Sequence, residues 1–174
     1  MSKSNILLIG MPATGKSTLG RLLAKELNKS FVDTDDSISD LVGMPIQEAL
    51  DNFGNKGFGE KENEVLLAVD QSNLIISTGG SAIYQSDAIE YLKLNAITVH
   101  LYAEKSTLLK RIQNFSTRAL VIEEGMTFEE LFEERMPLYV AAADINVSTD
   151  GQSGDIRKSL ASIIEKVQSH PDYA

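Results

Sequence analysis

Cysteine and tryptophan are absent from this 174-residue chain, histidine occurs twice and proline four times. Without cysteine there are no disulfides and no thiolate metal sites, and two histidines do not make a structural zinc ligand set. Basic residues are scarce, 16 against 25 acidic, for a net charge of −9. That balance argues against nucleic acid and membrane as partners, because neutralising phosphates takes clustered Lys and Arg. A small anionic molecule stays open if a few cations converge. No apolar run approaches the ~18 residues of a membrane-spanning helix. The run 6–9 stops at Gly10, short of the roughly 7–15 apolar residues of a secretory leader, so the expected address is the cytoplasm. The length fits one domain over 1–174, expected to act as a monomer.

What is present is an alternation. Short apolar runs at Asn5–Ile9, Ser30–Asp33, Leu74–Ser77, Ala96–Tyr102 and 144–148 read as strands. Between them lie helical spacings at 16–28, 38–42, 46–54, 60–70, 87–94, Lys105–Gln113, Phe128–Ala142 and 155–167. Glycines 54, 57 and 59 predict a loop between two of these helices, 114–126 is polar and irregular, and the last residues, SHPDYA, are expected to fray. Five strands alternating with helices predict an α/β domain with a parallel sheet covered on both faces.

The first strand runs into Gly10-Met11-Pro12-Ala13-Thr14-Gly15-Lys16-Ser17, which matches G-x-x-x-x-G-K-[ST]. In such a loop the glycines permit a tight turn that aims successive backbone N–H groups at phosphate oxygens. Lys16 reaches the β- and γ-phosphates, and the Ser17 hydroxyl ligates Mg²⁺. The helix opening at Lys16 adds its positive end. The strand before the motif and the helix after it are the context that separates a phosphate loop (10–18, with Thr18 closing it) from a glycine-rich turn. ATP with Mg²⁺ is the expected ligand.

Asp33-Thr34-Asp35 closes the second strand, at the sheet edge where open α/β folds bind ligands. One carboxylate there can support a metal while the other takes the proton from an attacking hydroxyl. The alternative is a cluster that caps the following helix.

The run GMPATGKSTLGRLLAKELNKSFVDTDDSI, with Thr78-Gly79-Gly80, Arg118 before a leucine, and Glu134-Arg135-Met136-Pro137-Leu138-Tyr139, resembles the shikimate kinase family over nearly the whole chain. The resemblance implies a nucleoside-monophosphate-kinase-like three-layer sandwich with strand order 2-3-1-4-5 and a mobile lid at 114–126. It implies ATP-dependent phosphorylation of the 3-hydroxyl of shikimate, with a substrate-binding region at about 34–64. By position it makes Gly10, Ala13, Thr14, Gly15, Lys16, Ser17, Thr18, Arg111 and Arg118 the ATP site, with Arg111 against adenine. It makes Ser17 and Asp33 the Mg²⁺ ligands and Lys16, Asp35 and Arg118 the catalytic groups. Asp35, Gly79, Gly80 and Arg135 are then the substrate contacts. Among Glu129, Glu130, Glu133 and Glu134, however, Arg135 also reads as a plain surface ion pair.

The match breaks at one place that matters. The resemblance implies G-E-x-x-F-R-x-x-E, and this chain reads Gly54-Asn55-Lys56-Gly57-Phe58-Gly59-Glu60-Lys61-Glu62. Gly59 stands where a carboxylate-gripping arginine is expected, and no lysine copies that planar fork, although Lys56 or Lys61 offers a cation. Ala13 for glycine, Ser81 for a third glycine and Ala119 for proline are milder changes. The competing readings are a kinase for another hydroxylated small molecule and a nucleotide-binding regulatory protein with little turnover. A nucleoside-monophosphate kinase is disfavoured, since 34–64 contains no arginine for a phosphate acceptor. His100, inside an apolar strand, reads as structural.

Overall fold

A computed structural model describes residues 2–113, 121–151 and 156–174. The segment expected as a lid lies partly outside them, and Arg118 and Ala119 lie outside altogether. β1 (Asn5–Ile9), β2 (Ser30–Asp33), β3 (Leu74–Ser77), β4 (Ala96–Tyr102) and β5 (Ile145–Ser148) form one parallel sheet in the order β2-β3-β1-β4-β5. This is the topology and three-layer arrangement the resemblance implies. β1 is central and wholly buried, as its unbroken apolar run requires.

Side chains alternate across the sheet. Ile6 and Leu8 of β1 join Ile75, Ile97, Val99 and Leu101 against α1 (Lys16–Leu27) and α7 (Ile156–Gln168), which supply Leu19, Leu23, Ile163 and Val167. Leu7 and Ile9 face the other way, with Ile76, toward α3 (Ile46–Leu67), α4 (Ser86–Lys93), α5 (Lys105–Gln113) and α6 (Phe128–Ala142). A smaller cluster of Ile38, Ala49, Leu50, Phe58 and Val65 joins α2 (Thr34–Val42) to α3. Among the described residues no helix is long and apolar enough to cross a membrane.

Three local expectations are corrected. The glycine loop at 54–59 is a kink within α3: Gly54 leaves the helix at φ 63, ψ 178, and the chain resumes helical geometry at once. Helical Gly57 and Gly59 each cost about 1 kcal/mol against alanine, and burying Phe58 offsets that. The helix expected to start at residue 38 begins at Thr34, because the Asp33 side chain accepts from the Asp35 N–H at 3.2 Å and caps it. The C-terminus does not fray. Lys3 N–H donates to the Asp172 carbonyl at 2.6 Å, Ala174 N–H donates to Lys3 at 3.1 Å, and Tyr173 packs on the α1/α7 core.

His100 is buried in β4, bonded through Nδ1 to Asn146 Oδ1 at 2.9 Å and stacked on Tyr139 at 5.2 Å. Burial lowers its pKa, so it stays neutral as a structural group.

Candidate active site

The loop between β1 and α1 is shaped by backbone that ordinary residues rarely adopt. Gly10 takes φ 143, and a Cβ there would run into the Leu101 carbonyl oxygen, so β4 requires glycine at this point. Ala13 stands at φ 67, a left-handed conformation that costs an alanine about 1–2 kcal/mol. The Thr14 hydroxyl donates to the Met11 carbonyl at 2.9 Å and holds the turn closed. Lys16 is buried and folds over the loop, donating to the carbonyls of Gly10 at 2.8 Å and Met11 at 2.9 Å. α1 has no capping side chain and no acid in its first turn. Its leading N–H groups, which no helix can satisfy internally, therefore suit an anion.

The loop forms one wall of a cavity of about 340 Å³. Its lining brings together Ala13, Gly15, Lys16, Ser17, Thr18, Asp33, Asp35, Gly79, Gly80 and Arg135. Gly10 and Thr14 lie in the loop beneath. Arg111 stands on the outer side, where Nη1 donates to Ala13 O at 3.2 Å and Nη2 to Thr149 O at 2.6 Å. Ser17 Oγ is 3.4 Å from Ser77 Oγ, and with the Asp33 carboxylate it offers hard oxygen donors to one cavity. A hydroxyl, a carboxylate and substrate phosphates are a donor set that fits Mg²⁺.

Gly79-Gly80 forms the floor and is fixed from several elements. Gly79 N–H donates to Thr34 Oγ1 at 3.3 Å, and the Tyr139 hydroxyl donates to the Gly80 carbonyl at 2.6 Å. Added Cβ atoms would stand 2.7 Å from Asp35 Oδ1 at residue 79 and 2.8 Å from Pro12 Cδ at residue 80. Glycine here makes room for the flanking groups.

The surface ion pair considered for Arg135 is not what forms. Arg135 is 1% exposed, donates through Nε to Tyr84 Oη at 3.1 Å and through Nη2 to the Val121 carbonyl at 2.6 Å, and lies 4.9 Å from the Tyr84 ring centroid. The spacing Leu131, Arg135, Tyr139 puts it on the buried stripe of α6. A buried guanidinium facing a cavity is an anion receptor in waiting.

The sequence places Glu62 at the closing glutamate of the G-E-x-x-F-R-x-x-E segment but assigns it no role. It is fully buried on α3, on the same face as Phe58, Val65 and Leu66. Oε1 accepts from the Ser81 hydroxyl at 2.9 Å, while Oε2 has no hydrogen-bond partner. Burial pushes its pKa up to about 7; the Ser81 bond opposes this, Asp35 adds to it and Arg135 offsets part of it. A carboxyl at the i+4 position of an apolar helix stripe was the legible sign. Gly59 faces an adjoining cavity of about 660 Å³ that also touches Glu62, Ser81 and Lys56. Lys61 is turned instead to Glu64, at 3.0 Å.

Comparison with known proteins shows the family and the fold. The family model described as shikimate kinase matches residues 12–168. A shikimate kinase of Francisella philomiragia subsp. philomiragia is 36% identical over 151 residues, covering 84% of this chain and 86% of the relative. A solved structure of shikimate kinase from Acinetobacter baumannii in complex with shikimate superposes with a TM-score of 0.86 at 31% identity, covering 96% of this chain and 94% of that one. The shikimate kinase of Bacteroides thetaiotaomicron gives 0.80 at 28% identity, over 94% and 98%.

Proposed function

The chain belongs to the shikimate kinase family, and we propose that it transfers the γ-phosphoryl group of ATP to the 3-hydroxyl of shikimate. The observation that carries the reading is one cavity in which a phosphate loop, a pair of aspartates and a buried arginine face one another. Donor and acceptor chemistry are thereby within reach of a single bound pair.

Each residue has a task in this reading. Lys16 and the N–H groups opening α1 hold the donor phosphates. The Asp35 carboxylate orients the acceptor hydroxyl and takes its proton as the new O–P bond forms. Arg135 grips the acceptor carboxylate, and the Gly79-Gly80 backbone supports the ring. Arg118 closes over the transferring group, and Arg111 borders the base of the nucleotide. Ser17 and Asp33 hold Mg²⁺, which supplies neutralising charge to the phosphates. The larger part of the rate gain is positioning and electrostatic stabilisation. The same reading has the protein act as a cytoplasmic monomer on a small molecule.

The Gly59 cavity favours one second reading, a larger carboxylated polyol as acceptor. ADP release from Mg²⁺-ATP, measured with shikimate, with no acceptor and with a panel of hydroxyacids, decides between them. Shikimate-dependent turnover at low KM upholds the first reading. Turnover only with another acceptor moves the function to the second, and ATP binding with a silent panel makes the protein a non-catalytic nucleotide binder.

A further inference from the structure

Two charged side chains of types almost never buried without partners, Glu62 and Arg135, stand beside the Gly79-Gly80 floor. They flank consecutive glycines. A Cβ at Gly79 would lie 2.9 Å from Glu62 Oε1, and one at Gly80 would lie 3.2 Å from Arg135 Nη1. Among the described residues no ion pair within 4.0 Å joins them, and Glu62 Oε2 makes no hydrogen bond. The hydrogen-bond donors of Arg135 go to neutral groups, the Tyr84 and Tyr139 hydroxyls and the Val121 carbonyl.

We propose that Glu62 is the specificity-determining residue that decides whether this site accepts an anionic substrate: uncharged, it leaves Arg135 free to bind the acceptor carboxylate, and charged, it cancels Arg135 and repels that carboxylate. The inference rests on the reading that the acceptor carries a carboxylate. It uses a feature that reading does not explain, a buried acid placed between the catalytic aspartate and the arginine receptor.

The surroundings set the direction. Asp35 faces Glu62 from α2, Arg135 and Tyr139 from α6, Ser81 from the 3₁₀ turn Gly80–Tyr84, and Gln85 just after it. Burial, the Asp35 charge and an unpartnered oxygen all favour the protonated acid, and only Arg135 and the bonds from Ser81 and Gln85 oppose it. On its own helix, Lys61 is paired with Glu64. Exposed Lys56, Glu60, Asp87, Glu123 and Glu134 stand around the adjoining cavity, nearer solvent. Acceptor binding should therefore favour the protonated acid, and acceptor affinity should fall as pH rises through neutrality. The groups that face Glu62 belong to the acceptor side of the cavity, so the effect belongs to KM for the acceptor.

The test is a set of steady-state profiles on the full chain at saturating Mg²⁺-ATP, with shikimate and with its uncharged methyl ester, from pH 6 to 8.5. If ionised Glu62 excludes the anion, KM for shikimate rises by about thirtyfold over this range, for a group titrating at about 7. KM for the ester and for ATP should change little. Glu62→Gln, which stays neutral, should flatten the shikimate profile and hold KM near its low-pH value. A wild-type KM for shikimate that varies less than twofold overturns the inference, as does a rise shared equally by the ester. Carbon-13 NMR of glutamate-labelled protein reads the same group without turnover. A buried carboxyl resonance titrating near neutrality, and moving upward when shikimate is added, is expected. Titration of every glutamate below pH 5.5 overturns the inference even if shikimate is a good substrate. Absence of shikimate turnover at every pH sinks the functional reading instead, and the NMR titration still judges Glu62.

Discussion

Replacing Gly79 with alanine puts one methyl group between the two carboxyls of the acceptor site. The backbone tolerates it, since φ −59 and ψ 159 are ordinary for alanine. The side chain does not fit. Its Cβ would stand 2.7 Å from Asp35 Oδ1 and 2.9 Å from Glu62 Oε1, where unstrained contacts begin at 3.4 Å. Each carboxyl must therefore retreat by about half an ångström or more. Glu62 is fully buried and tied to Ser81, so it has little room to yield. Asp35, half-buried in the first turn of α2, takes most of the displacement. A misplacement of about 1 Å in a catalytic group costs roughly 10²-fold, so a loss in kcat of about 30- to 100-fold is expected, or about 2–3 kcal/mol of barrier. Crowding of this kind destabilises by about 1–3 kcal/mol, which lowers Tm by several degrees and leaves a folded enzyme at 25 °C. The assay is ADP release with the melt recorded on the same sample. KM for ATP should be unchanged, because the added methyl group at residue 79 meets only Asp35 and Glu62 and no atom of the phosphate loop. A kcat within twofold of wild type would refute the reasoning, since it would detach the position of Asp35 from turnover. A loss expressed in KM for ATP would refute it differently, by showing that the floor belongs to the nucleotide side.

Asp35→Asn keeps the shape and removes the base, so kcat should fall by about 10²–10⁴ with ATP binding held within threefold; equal turnover removes Asp35 from catalysis. Gly59→Arg meets only the movable end of Gln85, Nε2 at 3.0 Å from the new Cβ, and reaches into the adjoining cavity. It should lower KM for shikimate roughly tenfold by adding a guanidinium for the carboxylate, and should add up to about 1 kcal/mol of stability by removing a helical glycine. An unchanged or higher KM means that other groups already fill that role. Glu62 also ties stability to pH. Its folded pKa of about 7 lies above the ordinary 4.5, so between these values the folded chain binds more protons than the unfolded one and stability falls as pH rises. Urea unfolding should show a loss of about 2 kcal/mol from pH 5.5 to 8.5, absent in Glu62→Gln; a wild-type curve without that slope contradicts the assignment.

The strands and the phosphate loop were legible because their signals are local. Asn5–Ile9 is apolar throughout and ends on the glycine that only a tight turn requires, so neighbours in sequence carry the whole message. Residues 54–59 misled for the same reason. Their glycines argue for a loop, and the argument that wins, burial of Phe58 against Ile38 of α2, is made by a residue in another element. The C-terminal tail is fastened by Lys3, at the opposite end of the sequence.

Arg135 and Glu62 follow a more instructive pattern. The local acids around Arg135 suggested solvent, yet Leu131, Arg135 and Tyr139 recur at intervals of four, and Phe58, Glu62 and Leu66 do likewise. In each helix a charge occupies a place on the stripe that faces the core. A charge in that place is costly unless something compensates it. For Arg135 the direct partners are a ring, the hydroxyls of Tyr84 and Tyr139 and a carbonyl, none of them anionic; for Glu62 they are Ser81 and Gln85, together with a proton held up to about neutrality. Neither solution is the cheapest that packing allows, since an apolar pair of similar volume would cost less. On the proposed function, an acid and a base are kept apart beside two glycines because the cavity must hold a third, negatively charged group. The stability forfeited at positions 62 and 135 is then the counterpart of selectivity in the cavity above, and Glu62→Gln should raise the one while removing the pH control of the other.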